Sequence, residues 1–95
     1  MKENCQEVAS LLKTIAHPQR LMILCHLAQA EMSVSELQSE CTISQSQVSQ
    51  FLLRMTKQGL LTSRREGNFI YYRLSDPKTI KLMKSMNKIF CEQPK

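Results

Sequence analysis

Between Ser44 and Lys57 the chain carries Ser44, Gln45, Ser46, Gln47, Ser49, Gln50, Arg54 and Lys57. These side chains hydrogen-bond and pair with anions, and none does covalent chemistry unaided. Glutamine can pair bidentately with adenine, serine can bond either kind of base edge, and Arg and Lys meet guanine or phosphate. No acid occurs from Thr42 to Arg65, whereas a merely solvated helix face ordinarily mixes signs. Arg64 and Arg65 follow closely. They could reach phosphates or the minor groove, contacts that fix register and make affinity fall with salt. The chemistry expected of this stretch is recognition of double-stranded DNA.

Thiols form the second set: Cys5, Cys25, Cys41 and Cys91. No pair makes a CxxC, and no cysteine–histidine cluster has zinc spacing. A thiol enzyme needs a nucleophile–base pair. Neither that nor a phosphate loop is visible, so no enzymatic activity, metal or cofactor is expected. Cys41 falls where a helix would bury an apolar residue, and cysteine ordinarily behaves as one. His17 and His26 read as capping or surface residues.

The elements that must position these groups follow from periodicity. Val8, Leu11, Leu12 and Ile15 lie at i, i+3, i+4, i+7, one face of an amphipathic helix ending near Ala16. Pro18 suits the first turn of a second helix to about Ala28, with Leu21, Leu24, Cys25 and Ala28 on its stripe. Ser33-Val34-Ser35 is short and β-friendly, and Ser35 is expected to cap a third helix, Glu36 to Cys41. Ser44 caps a fourth, Gln45 to about Gln58, with Val48, Phe51, Leu52 and Met55 inward and Gly59 at its C-terminal end. Leu61–Arg65 and Phe69–Leu74 are rich in β-formers around Glu66-Gly67-Asn68, a hairpin with a basic tip. Pro77 opens a last helix, Lys78 to Cys91, whose apolar side is Ile80, Met83, Met86, Ile89 and Phe90. The fold class is mainly α with a small hairpin. Two helices joined by a tight turn make a helix-turn-helix.

At 95 residues the expectation is a single domain, residues 1–95, with a core small enough that a partner subunit would help. The net charge is +5, unevenly spread. Ser44 to Leu74 holds five bases against Glu66 alone, while residues 1–43 hold three bases against five acids. No apolar run reaches membrane-spanning length. The polar N-terminal segment lacks a signal peptide's apolar stretch, so a cytoplasmic address is expected.

Ser44-Gln45-Ser46-Gln47-Val48-Ser49-Gln50-Phe51-Leu52, then Gly59-Leu60-Leu61 and Arg64-Arg65-Glu66-Gly67-Asn68-Phe69-Ile70-Tyr71-Tyr72-Arg73-Leu74, resemble the ArsR/SmtB repressors. Leu11-Leu12-Lys13 and Ala16-His17-Pro18-Gln19-Arg20-Leu21 extend the resemblance over nearly the whole chain. It implies a winged-helix homodimer of about five helices and a two-stranded wing. The interface would lie on the first and last helices: Val8, Leu11, Leu12 and Ile15 with Met83, Met86, Ile89 and Phe90. It also implies an inducer that releases the protein from operator DNA. Similar proteins often carry His where Phe51 stands, which bears on base preference.

Metal-sensing members use Cys-Val-Cys where this chain has Ser33-Val34-Ser35, and serine hydroxyls do not replace thiolates for a soft metal. Others use His on the last helix, which has none here. The contexts Arg20-Leu21-Met22-Ile23-Leu24-Cys25-His26-Leu27 and Lys88-Ile89-Phe90-Cys91 look like the family's dithiol branch. That branch implies Cys25 and Cys91 as a redox pair answering oxidants or reactive sulfur species. A subgroup of virulence activators, which displace a silencing protein from DNA, is similar as well. Two other readings stay open: a DNA-binding activator with inert thiols, and a winged-helix protein-interaction module.

Overall fold

The computed structural model describes residues 2–90. A short 3-10 turn, Lys2–Asn4, leads into α1, Cys5–Ile15, and then α2, Pro18–Gln29. The remaining elements are β1 (Met32–Ser33), α3 (Val34–Cys41), α4 (Gln45–Lys57), β2 (Leu61–Glu66), β3 (Phe69–Leu74) and α5 (Pro77–Phe90).

Local chemistry sets the boundaries. Pro18 opens α2, and the His17 side chain accepts a hydrogen bond from the Gln19 N–H at 3.3 Å. The cap of α3 is Ser33, not the expected Ser35. The Glu36 N–H donates to Ser33 Oγ at 3.2 Å, and the Ser33 N–H donates to Glu36 Oε1 at 2.8 Å. Glutamate three residues on completes a reciprocal box that Ser35 lacks, so α3 begins two residues early. Ser44 and Gln47 form a second box on α4. Beyond α4, Gly59 takes φ +82°, the left-handed form that glycine adopts without strain.

The sheet is antiparallel, in the order β1-β3-β2. The expected hairpin therefore gains a third strand. Met32 pairs with Tyr72 and Ser33 with Tyr71, and two residues are too few to show alternation in the sequence. Leu61 pairs with Leu74 and Glu66 with Phe69, which narrows the turn to Gly67-Asn68. Positive φ at Gly67 but not at Asn68 is the pattern of a type II′ hairpin turn.

Ile15, Ile23, Leu24, Leu27, Leu37, Cys41, Val48, Leu52, Met55, Leu61, Leu74 and Met83 make one buried core. On α2 the buried residues are Ile23, Leu24 and Leu27, while Leu21, Cys25 and Ala28 of the expected stripe are half-buried. The reason is position: α2 touches α1, α3, α5 and β3, so several of its sides are covered and no single stripe describes it. Phe51, expected to face inward, is also only half-buried.

Candidate nucleic-acid interface

The α3–turn–α4 unit presents one face of α4 to solvent. Val48, Leu52 and Met55 anchor its inner side. Ser46, Gln50, Leu53 and Lys57 fall on an opposite stripe at helical spacing, flanked by Gln47 and Arg54 on one side and Ser49 on the other. All seven are exposed. Leu53, at 57% exposure, is an apolar member that the sequence pattern did not single out. Ser44 and Gln45 are exposed at the N-terminal end.

Two of these side chains already have structural work. Ser44 Oγ accepts from the Gln47 N–H at 3.1 Å, and Gln47 Oε1 accepts from the Ser44 N–H and hydroxyl at 3.4 and 3.3 Å. With Oε1 engaged in the cap, the Gln47 amide nitrogen carries no hydrogen bond among the described residues. Ser46, Ser49 and Gln50 carry no such bonds among the described residues. The exposed surface is acid-free and, apart from Leu53, polar, the profile a major groove accepts.

The two wing arginines, expected to act together, part ways. Successive strand residues point to opposite faces, so Arg64 lies on the face of Glu66 and Tyr71, and Arg65 on that of Leu61 and Leu74. Arg64 Nε donates to both carboxylate oxygens of Glu31 at 3.0 Å, and Nη2 donates to Oε1 at 2.8 Å. Its Nη1 reaches Glu66 Oε2 at 3.0 Å, and the guanidinium lies 4.8 Å from the Tyr71 ring centroid. The hydrogen bonds from Arg64 hold the Glu31 carboxyl below its ordinary value, and those carboxylates push the Arg64 guanidinium above its own. Arg64 is thus engaged by two carboxylates within the protomer while its side chain stays half exposed. Arg65 is the exposed cation at the tip with no ion pair among the described residues. Sequence reading missed Glu31, which stands 33 residues from its partner and looked like one acid among several.

The thiols are dispersed. Cys25 is half-buried on α2 and Cys5 is exposed on the first turn of α1. Cys41 is 2% exposed within the core, and burial, helped by Glu40, pushes its thiol up. Cys91 lies outside the described residues, so the Cys25–Cys91 pairing does too; α5, which leads to it, packs on α2.

The apolar residues expected at a dimer interface divide into two groups. Ile15 and Met83 are buried in the protomer's own core, where α2 packs against α1 and α5. Val8, Leu11 and Met86 are half-buried. Leu12, Ile89 and Phe90 are exposed, the last two at 71% and 81%.

Known proteins share this arrangement. The family described as bacterial regulatory protein, arsR family, matches residues 17–63. A biofilm growth-associated repressor of Agrobacterium fabrum is 45% identical over 91 residues, covering 96% of this chain and 78% of that protein. The crystal structure of the transcriptional repressor BigR from Xylella fastidiosa superposes with a TM-score of 0.89 at 41% identity, covering 98% of this chain and 95% of that one. Reduced HlyU from Vibrio cholerae superposes with a TM-score of 0.91 at 35% identity, covering 97% of each chain; HlyU is a transcriptional activator. With likeness of this extent in both sequence and fold, the chain belongs to the ArsR family of winged helix-turn-helix, DNA-binding transcription regulators.

Proposed function

We propose that this regulator is a homodimeric repressor that seats α4 in the major groove of its operator and leaves when Cys25 and Cys91 are joined. The observation that carries the DNA half is the exposed acid-free face of α4, with Ser46, Gln47, Ser49 and Gln50 toward base edges and Arg54 and Lys57 toward phosphate. Arg65 replaces the expected Arg64–Arg65 pair as the wing's contact. Likeness to BigR and to the Agrobacterium repressor supports repression. No described helix is long and apolar enough to cross a membrane, and a cytoplasmic regulator accords with that.

The thiol half rests on the sequence contexts of Cys25 and Cys91 and on the packing of α5 against α2. With peroxide, one thiol becomes a sulfenic acid with release of water, and the second displaces another water to close the disulfide. With a reactive sulfur donor, one thiol takes a sulfur atom as a persulfide. The other thiol then displaces hydrogen sulfide, leaving the same bridge. Tying α2 to the interface helix would alter the separation of the two reading helices, which must match half-sites roughly 34 Å apart. A coupling of about 1–3 kcal/mol changes affinity some 5- to 150-fold.

The test is fluorescence anisotropy on duplex DNA from upstream of this gene, reduced protein against peroxide- or polysulfide-treated protein, with intact masses. The expected result is weaker binding together with a Cys25–Cys91 link, and no response in Cys25→Ser or Cys91→Ser. Equal, salt-sensitive binding in both states would overturn the switch and favour a second reading, an activator with inert thiols, which the likeness to HlyU supports.

A further inference from the structure

Arg20 lies in the first turn of α2, a turn that holds no acid. A cation there faces the positive end of the helix dipole, an unfavourable place unless an anion comes near. Its guanidinium carbon sits 5.5 Å from the Phe51 ring centroid, and His17 packs on the same ring at 5.2 Å. Nε is out of solvent with no hydrogen-bond partner, and neither ion pair among the described residues includes Arg20. Arg20 is otherwise half-buried, so its terminal nitrogens stay open to solvent with no carboxylate on them, free to meet an incoming anion. Phe51 shares a helical stripe with Gln47 and Arg54, at i−4 and i+3. Its ring therefore sets Arg20 against the Gln47–Arg54 flank of the exposed α4 face. The place gathers the end of α2, Arg20 and Arg54, with no acid on that stripe.

We infer that Arg20 is a DNA-backbone contact, with Phe51 as the platform that aims it at the phosphate beside the inserted helix. The planar fork of arginine suits two phosphate oxygens at once. The inference rests on the proposed insertion of α4 into DNA and adds a residue from a different helix. A phosphate contact reads no sequence, so it adds equally to every duplex.

The experiment measures Kd against salt for wild type, Arg20→Met and Arg20→Lys, on upstream duplex and on unrelated duplex. Arg20→Met keeps an apolar stem on Phe51 and removes the charge. It is expected to lose roughly ten- to a hundredfold in affinity on both duplexes and to lower the salt slope by about 0.9. Arg20→Lys is expected to keep the wild-type slope with intermediate affinity. A wild-type slope in Arg20→Met overturns the inference, whatever its affinity, because a merely structural role moves affinity without moving the slope. Should Arg20→Met not fold, Arg20→Lys decides alone: full wild-type affinity removes the need for the fork and overturns the aimed contact. Gln50→Ala and Arg54→Gln keep the two proposals apart. If both bind as wild type, the insertion of α4 fails; if both weaken while Arg20→Met does not, only the role of Arg20 fails.

Discussion

Arg64 and Arg65 are neighbours in sequence and opposites in circumstance. Arg65→Ala is expected to lower the salt slope of DNA binding by about 0.9, the signature of one lost phosphate. Arg64→Ala should leave the slope nearly unchanged, because its charge is already met by Glu31 and Glu66. The Glu31 carboxyl has a folded pKa below its ordinary 4.5, chiefly through hydrogen bonds from Arg64. A depressed carboxylate stabilises the fold above its unfolded pKa, and that contribution is lost as pH falls through the folded one. The Glu31–Arg64 contact should therefore persist as pH drops past 4.5 and release below that. A carbon-detected NMR titration of Glu31 reads this directly, and a midpoint at or above the ordinary value would contradict the clasp. Among the thiols, Cys41 is buried and its pKa raised, so both access and thiolate fraction are low. Peptide mapping after brief alkylation should find Cys5 labelled well before Cys41; equal labelling would remove Cys41 from the core.

Individual elements depend on their caps, and α3 tests this. Ser33→Ala removes the acceptor for the Glu36 N–H and is expected to cost about 1 kcal/mol in urea unfolding. Ser35→Ala, inside the helix, should be near neutral. The reverse order would restore the cap at Ser35. Much of this level was legible in the sequence. Pro18, Ser44 and Gly59 each impose a backbone requirement that announces itself locally, and α1, α2, α4 and the hairpin lie within a residue or two of expectation. What escaped notice depends on partners distant along the chain. The strand at Met32–Ser33 exists only because β3 offers it an edge, and the burial pattern of α2 reflects four neighbours that periodicity does not reveal. The candidate site divides likewise. The α4 face follows from helical spacing alone, whereas the fate of Arg64 depended on a carboxylate that only the fold brings near.

Across the whole molecule, apolar surface separates what holds the protomer from what would hold two protomers together. Met83 is fully buried. Met83→Ala opens a cavity and is expected to cost about 2–5 kcal/mol of protomer stability. Ile89 and Phe90 project from the end of α5. Ile89→Lys with Phe90→Glu should leave the helices intact and shift sedimentation toward monomer, with loss of tight operator binding, because each half-site then binds alone. A double variant that still sediments as a dimer would move the interface elsewhere. Only a dimer offers the paired reading helices that an operator with two half-sites requires.

The Glu31–Arg64 clasp also has a mechanical meaning. Glu31 stands just beyond the end of α2, the helix that bears Cys25. The bidentate grip ties that end to the middle of β2, with β1 stitched to β3 beside it. The clasp, the β1–β3 pairing and the packing of α2 on β3 together join helix and hairpin at this corner. Under the proposed switch, a tilt of α2 would carry the wing with it, and Arg65 at the tip would move farther than the thiol. Glu31→Gln would remove the charged part of this brace while the β1–β3 pairing and the packing of α2 on β3 remain, so it should loosen the link and not sever it.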